Sequence, residues 1–588
     1  MSEKLFTDAK TLQTKNQLVL DACEITLKHP NFQSDLIQLT KNELSLVELR
    51  RPLSDNQISR LLETASLFAL TNDIAYEKLA YKMAVYLLSQ YKTDYPTLPA
   101  AVEIIMSRLG DLPTIHSIIE NQDGKDYFSY FEPETFDQNT VSTYLKFPEV
   151  LVKKITNRIK ITDQKSLTFT DFQARIYSLL REKQNVIFSA PTSTGKSYVL
   201  HNYIAESLLN SREYCAVYIA PTKALIAEVQ ANIEETITSF GARLDEFAVF
   251  LSSNFLNMEE VKETKKKVFV LTQERLQEAM ANNPLTNVKL LVVDEAQKIS
   301  DESRGVIIED AVQDLIEYNP NVQKVVISPY TQNPEKFKLV FNIQDEIIAE
   351  KTSKSPVGQN FFLVKFEGKK VIISLLSWGL EVSEEEKILY EMTLESLLPS
   401  KSKRKAWVVN NLVTKGEPTI IYCDRPYDCR RVAENIAEGS EKSEPSDELK
   451  KAIDFFSEYV HKQYYLCDSL KNRIGYHYGK MPQFVRFLVK NLFERKKIDL
   501  LCCTSTLLEG VNLPAKNIVL YNPKAGKIMD RLSLLNLAGR AGRLRKDYYG
   551  KIYCINMDEW ESGDDVFEAK LEDVESSVEQ TLAKTLTL

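Results

Sequence analysis

The run Ser189-Ala190-Pro191-Thr192-Ser193-Thr194-Gly195-Lys196-Ser197 lies between two apolar stretches, Val186-Ile187-Phe188 and Tyr198-Val199-Leu200. That layout reads as strand, loop and helix, with Gly-Lys-Ser at the helix start. Backbone N–H groups of such a loop and helix N-terminus cradle phosphate oxygens. The Lys196 ammonium neutralises charge on the β- and γ-phosphates, and the Ser197 hydroxyl is a Mg²⁺ ligand. Ala190 stands where the general pattern has its first glycine. Further on, Leu290-Leu291-Val292-Val293 ends in Asp294-Glu295-Ala296-Gln297. An apolar strand that delivers two carboxylates at its C-terminal end makes the other half of such a site. Asp294 is placed to hold Mg²⁺, directly or through water, and Glu295 to polarise an attacking water.

Positioning these groups takes parallel sheets. From Ile161 on, short β-branched runs alternate with helical stretches, as in βαβ units. Strands are predicted at 185–188, 216–220, 268–271, 290–293 and 325–328, and in a second set at 419–423, 473–476, 500–504, 518–521 and 551–555. The segments 350–355 and 381–405 between the sets read as charged or loop-rich. The first 160 residues read as helices: around Ala75 to Leu88, apolar residues recur at three- and four-residue spacing. The predicted fold is therefore α/β. A helical region (1–160) precedes a first doubly wound domain (161–349) and a second (350–588) with a short acidic tail.

Composition bounds the partners. Lys and Arg number 74 and Asp and Glu 82, a net charge of −8. That excludes a histone-like binder acting by bulk positive charge, and it leaves room for a local basic groove. No apolar run reaches the ~20 residues of a membrane helix. The start Met1-Ser2-Glu3-Lys4-Leu5 lacks a signal-peptide layout. The eight cysteines form no C-x-x-C pair, which fits buried free thiols in a reducing, cytoplasmic compartment and gives no zinc pattern.

Together, Phe172-Gln173, the loop Ala190–Ser197 and Asp294-Glu295-Ala296-Gln297 resemble the superfamily-two helicases of the DEAD/DEAH-type group, with Gln297 where His or Asp is usual. The resemblance implies two tandem RecA-like domains, ATP with Mg²⁺ as cofactor, and Gln173 as the residue that reads adenine, an edge that both accepts and donates. Two strand ends followed by helix starts resemble the family's motifs Ia and Ib: Pro221-Thr222-Lys223, and Thr272 with Arg275. Such places bind backbone phosphates without reading sequence. The run Thr504 to Pro514, with Gly510 and Asn512, is similar to motif V, above all of the Ski-like branch. That branch holds exosome-associated RNA helicases and archaeal repair DNA helicases. His477-Tyr478-Gly479 matches the branch's His-x-Gly element, and Asn536 to Arg543 resembles motif VI, with Asn536 for the usual Gln. Arg540 and Arg543 lie three apart, hence on one helix face. From there they can reach the developing γ-phosphate charge, a role worth about 10³–10⁵ in rate in related enzymes. Ser328-Pro329-Tyr330 falls where the family's coupling motif reads Ser-Ala-Thr.

What the resemblance implies is an ATP hydrolase that translocates on nucleic acid, 3′ to 5′, acting in anti-phage defence or DNA repair. The leading substrate is single-stranded or partly duplex DNA. An RNA helicase of the exosome-associated kind is one alternative, and an ATP-binding scaffold for a partner nuclease is another. Tyr521 to Lys527 reads as a small wedge or surface loop between motifs V and VI. Only 45 residues follow Arg543, too few for the branch's winged-helix and ratchet domains, so a fragment, a partner's grip or an ATP-driven switch are the three explanations. A helical region before a Ski-like core is similar to the helicase of the bacterial Hachiman anti-phage system, which works beside a nuclease subunit. That helical region, with Tyr127-Phe128-Ser129-Tyr130-Phe131, is expected to pack on the first α/β lobe. Docking a nuclease or adaptor protein is its sharper reading.

Overall fold

The structure, a computed structural model, describes residues 16–114 and 141–562 apart from short breaks, among them 192–193, 252–263, 377–387, 440–443, 506–512 and 543–548. The aromatic cluster Tyr127–Phe131 lies outside the described residues. The chain divides into two units. One, the phosphate-loop unit, is Thr156–Ser355. The larger unit joins the residues up to Ile155 to Pro356–Leu508 and Leu513–Phe567.

The phosphate-loop unit is built on a seven-stranded sheet. Its spatial order is Ala248–Leu251, Lys266–Leu271, Tyr214–Ile219, Leu290–Val293, Gln323–Ser328, Val186–Ser189 and Ile348–Lys351, all parallel. Alternate residues split cleanly between two cores. Phe188, Ala216, Tyr218, Val270, Leu290, Val292 and Ile327 pack on one face with Val199, Leu200, Tyr203 and Ile204 of the helix Lys196–Asn210. Ile187, Val217, Ile219, Phe269, Leu291, Val293 and Val326 pack on the other with Ala311, Val312 and Leu315. Burial on both faces explains why these strands read as continuous apolar runs. The last strand, Ile348–Lys351, corrects the sequence reading of 350–355 as linker: it is an edge strand paired to Val186–Ser189. The unit boundaries fall at 155 and 355 rather than at 160 and 349.

The larger unit carries an eight-stranded sheet. Gly358–Glu367, Tyr549–Ile555, Asn517–Leu520, Thr419–Tyr422, Leu500–Cys503 and Ile474–His477 run parallel, and Lys370–Leu375 and Ile388–Thr393 extend it antiparallel. The strand Ile388–Thr393 falls within the stretch 381–405 that reads as loop in the sequence. Both sheets match the expected RecA-like, parallel α/β pattern.

The helices Pro30–Lys41, Asp55–Phe68, Ile74–Tyr91 and Leu98–Arg108 form a bundle with its own core: Phe32, Leu36, Leu61, Phe68, Met83, Tyr86, Leu87 and Met106. Ser54 and Gln57 close a capping box at the second helix, and Asp73 caps the third. The expected packing of this region on the first lobe is overturned. Its core takes in Tyr549 of the second sheet, whose ring meets Tyr86 edge-on at 4.9 Å. The Tyr549 phenol donates to the Glu43 carboxylate, and Lys551 Nζ donates to the Glu43 carbonyl at 2.9 Å. Buried polar groups of this kind need partners, and each is supplied across the bundle–sheet contact. All eight cysteines are free and buried, as the sequence implies.

Candidate nucleotide and nucleic-acid sites

The phosphate loop leaves the strand Val186–Ser189 and enters the helix at Lys196. Gly195 turns the chain with φ +71°, a left-handed conformation that favours glycine. The first N–H groups of the helix have no intrahelical acceptor and point at the loop, as anion binding requires. Lys196 is buried, and its ammonium donates to the carbonyls of Ala190 and, at 3.0 Å, of Pro191. Thr194 Oγ1 donates to the Pro191 carbonyl at 2.7 Å. Gln173 is buried beneath the loop. Its Oε1 accepts from the Thr170 N–H at 3.1 Å and its Nε2 donates to the Thr194 carbonyl at 2.8 Å. The structure thus gives the expected adenine reader a second job, capping its own helix and tethering the loop. Thr192 lies outside the described residues.

Asp294 and Glu295 follow the strand Leu290–Val293. The Asp294 N–H donates to the Ile219 carbonyl at 3.0 Å. Its Oδ1 accepts from the Glu295 N–H at 2.9 Å, and its Oδ2 accepts from the Tyr218 phenol at 2.6 Å. Glu295 has φ +54°, a costly backbone for a residue with a side chain. Strain at the residue expected to polarise water is stored where the chemistry is expected. Gln297 Nε2 donates to Glu295 Oε2, and Ser328 Oγ donates to Gln297 Oε1 at 3.4 Å. Ser328 and Thr331 share a hydrogen bond, and the Thr331 N–H donates to Ser189 Oγ at 2.7 Å. The second hydroxyl of the coupling motif therefore comes from Thr331, one place later than in Ser-Ala-Thr. It joins the end of the strand Gln323–Ser328 to the start of the phosphate loop.

Charge in this site is frustrated in both signs. Burial and the neighbouring Glu295 push the Asp294 carboxyl up to about 6, against the pull of Tyr218 and Lys196. Burial draws the Lys196 ammonium down to about 8, against Glu295 and Asp294. A phosphate beside Lys196 and a divalent cation beside Asp294 would supply what each lacks. The hydroxyl and carboxylate at Ser197 and Asp294 are the hard oxygen donors that Mg²⁺ takes. ATP with Mg²⁺ thus fits the residues present.

The expected backbone contacts are strand ends that cap helices. Thr222 accepts the Leu225 N–H at 3.3 Å beside half-buried Pro221 and exposed Lys223. Thr272 accepts the Arg275 N–H at 3.4 Å, and Arg275 pairs with Glu278 at 2.6 Å on the surface. The sheet brings Pro221–Lys223 and Thr272 together: the Ala220 N–H donates to the Leu271 carbonyl at 2.9 Å. In the larger unit, the Thr504 N–H donates to the His477 carbonyl at 3.3 Å, which brings the His-x-Gly element to motif V. His477 is buried and held neutral down to about pH 4 by burial and by Arg486, while Gly479 is exposed. Arg540 lies two residues past the helix Arg531–Ala538, which corrects the expectation that it sits on a helix face, and its carbonyl accepts the Ala515 N–H at 3.1 Å. Gly542 follows with φ +81°, donating to the Ala515 carbonyl at 2.8 Å. Gly510, Asn512 and Arg543 lie outside the described residues. The strands Lys524–Ala525 and Lys527–Ile528 pair antiparallel, so the Tyr521–Lys527 stretch does hold a small hairpin. Tyr422 and Asp424 bind it at Lys524. Among the described residues no cluster of ligands for a structural metal is present, and no helix is long and apolar enough to cross a membrane.

A phosphate loop and an acidic strand end thus lie on one parallel sheet, and a second, mostly parallel sheet carries Arg540 just past a helix. Residues 170–335 match the DEAD/DEAH box helicase family, and residues 445–545 match the helicase conserved C-terminal domain. The chain thus carries both domains of a DEAD/DEAH-type helicase. It is similar to anti-bacteriophage protein B of Escherichia coli strain K12, with 26% identity over 392 residues, 66% of this chain and 47% of that protein. It is also similar to the ATP-dependent DNA helicase Hel308 of Thermoplasma volcanium, with 24% identity over 393 residues, 65% and 51% of the two chains. A third relative is the ATP-dependent RNA helicase DExH14 of Arabidopsis thaliana, with 24% identity over 413 residues, 64% and 18%. The chain spans about half the length of the first two and less of the third.

Proposed function

We propose that this chain hydrolyses ATP and uses the energy to move along a nucleic-acid strand, DNA in preference to RNA, from 3′ to 5′. The observation that supports the reading is that Lys196 and Ser197 start the helix after one strand, and Asp294 and Glu295 follow another strand, of one parallel sheet, within the residues that match the DEAD/DEAH box helicase family. Lys196 exchanges the Ala190 and Pro191 carbonyls for the β- and γ-phosphates. Ser197 and Asp294 hold Mg²⁺, which when bound neutralises phosphate charge. Glu295, held by Gln297, orients and polarises the attacking water. Arg540 and Arg543 supply the further positive charge that the helicase resemblance implies. Pro221, Thr222, Lys223, Thr272, Arg275, His477, Gly479, Thr504 and Asn512 form the backbone grip, and Gly510 belongs with the nucleotide-binding residues. Gln173 tethers the loop and reads adenine.

The anti-phage name of the Escherichia coli relative and the DNA-helicase name of the archaeal one support a cytoplasmic role in defence or repair on DNA. A nuclease or adaptor docking on the helical region belongs to the same proposal. Leu18, Ile25 and Leu70 expose apolar surface there. The test is the ATPase rate with no nucleic acid, single-stranded DNA, duplex DNA and RNA, alongside Lys196→Ala. Stimulation by DNA and loss of turnover in the variant are expected. Stimulation by RNA alone would sink the DNA assignment, no stimulation would favour the scaffold, and normal turnover in Lys196→Ala would displace the site.

A further inference from the structure

We propose that Tyr218 is a positioning residue that holds the Mg²⁺-binding carboxylate of Asp294 and so sets the metal affinity of the nucleotide site. The inference rests on the nucleotide-site reading above and deepens it.

Tyr218 lies one residue before the end of the strand Tyr214–Ile219 and is fully buried. In a run that reads Tyr-Cys-Ala-Val-Tyr-Ile, its ring looks like ordinary core, and it does pack in the cluster that backs the phosphate-loop helix. The register gives its hydroxyl a further role. Tyr218 pairs with Val292 on the neighbouring strand. Side chains alternate between faces, so Asp294, two places beyond Val292, lies on the same face as Tyr218. That is the face covered by the helix that begins at Lys196. The phenol O–H donates to Asp294 Oδ2 at 2.6 Å. A phenol is protonated at neutral pH, so its O–H is the donor to the carboxylate.

The outcome is a carboxylate fixed at both oxygens, Oδ1 by the Glu295 N–H and Oδ2 by Tyr218. Each carboxylate oxygen has a second lone pair, which stays available to a cation. A phenylalanine would fill the same volume in the cluster, so the hydroxyl is what this position adds. Groups that orient metal ligands from behind typically change metal affinity or activity 10- to 100-fold when removed.

The experiment compares full-length wild type and Tyr218→Phe for binding of N-methylanthraniloyl-ADP as Mg²⁺ is titrated, with a metal-free arm in chelator. Expected for Tyr218→Phe is a half-saturating Mg²⁺ concentration raised about 10- to 100-fold, with metal-free nucleotide binding and the melting temperature close to wild type. In an Asp294→Asn background the same substitution should add nothing. Tyr218→Met, a different side chain without the hydroxyl, should repeat the shift. A half-saturation within about twofold of wild type in both Tyr218 variants overturns the proposal, as does an undiminished shift on top of Asp294→Asn. If wild type binds no nucleotide, or binding survives Lys196→Ala unchanged, the nucleotide-site reading itself falls. If wild type passes those controls and only the Tyr218 shift is missing, that reading stands and the role of Tyr218 falls.

Discussion

Replacing Glu43 with alanine should destabilise a sheet that lies hundreds of residues away in the chain. The Glu43 carboxylate accepts from the Tyr549 phenol and, at 2.6 Å, from the Gln90 amide. Tyr549 and Glu43 are both buried, so bulk water does not replace the lost acceptor. Hydrogen bonds to a carboxylate contribute roughly 1.5–3 kcal/mol each, so two of them give about 3–6 kcal/mol. The Lys551 bond to the Glu43 carbonyl survives the substitution, which favours the lower half of that range. At roughly 2 °C per kcal/mol for a large domain, a loss of about 4 kcal/mol lowers the melting temperature by about 8 °C. Of the three tryptophans, Trp407 and Trp560 fall in the part of the larger unit that follows Pro356, and Trp378 lies outside the described residues. Tryptophan fluorescence therefore reports the second sheet, and circular dichroism reports the helices too. Both transitions should move down together. A tryptophan transition that stays at the wild-type temperature while the helical signal shifts would refute the claim that bundle and sheet melt as one.

Gly542→Ala should cost about 2 kcal/mol or more. The residue sits at φ +81°, and an added Cβ would lie 2.4 Å from Val357 Cγ1 and 3.0 Å from the Gly550 nitrogen. An unchanged melting curve would contradict this. Gln173→Ala should raise the half-saturating concentration of both ATP and GTP about 5- to 30-fold, since it removes a cap and a loop tether worth about 1–2 kcal/mol. Unaltered GTP binding would leave the tether without weight. Acid should weaken both units through buried histidines. Burial lowers His201 from 6.5 to about 4, so between those pH values the unfolded chain binds a proton that the folded one does not. Stability is then flat above pH 7 and falls as pH drops below about 6.5, by about 2 kcal/mol at pH 5. His477, lowered to about 4, adds the same slope in its own unit. His201→Gln should flatten that limb for the phosphate-loop unit in pH-dependent denaturation, and an identical slope would refute it.

The parallel strands were legible because burial on both faces leaves unbroken apolar runs such as Leu290–Val293. The reactive groups were legible because phosphate chemistry demands fixed residue types beside those runs. Edge strands lack both signals. Ile388–Thr393 buries only Leu389, leaves its other positions half-buried or exposed and carries Glu391, so it reads as a charged loop. The seat of the helical bundle was hidden for a different reason. It depends on Glu43 meeting Tyr549, a pairing that no local pattern encodes. Tyr218 and Thr331 were missed because a tyrosine in an apolar strand, or a threonine three places past a motif serine, gains meaning only from what its hydroxyl touches. The one available signal for Tyr218 was parity: it and Asp294 face the same side once the two strands are aligned.

The bond between Glu43 and Tyr549 spans 506 positions of chain. During synthesis at roughly 5–20 residues per second, the bundle emerges and then waits about 25–100 s for the strand that covers it. Its own core of Phe32, Leu61, Phe68 and Leu87 can form in that interval, while the Tyr86 side stays uncovered. The nascent chain must keep that apolar face from other partners until the last strand of the second sheet arrives.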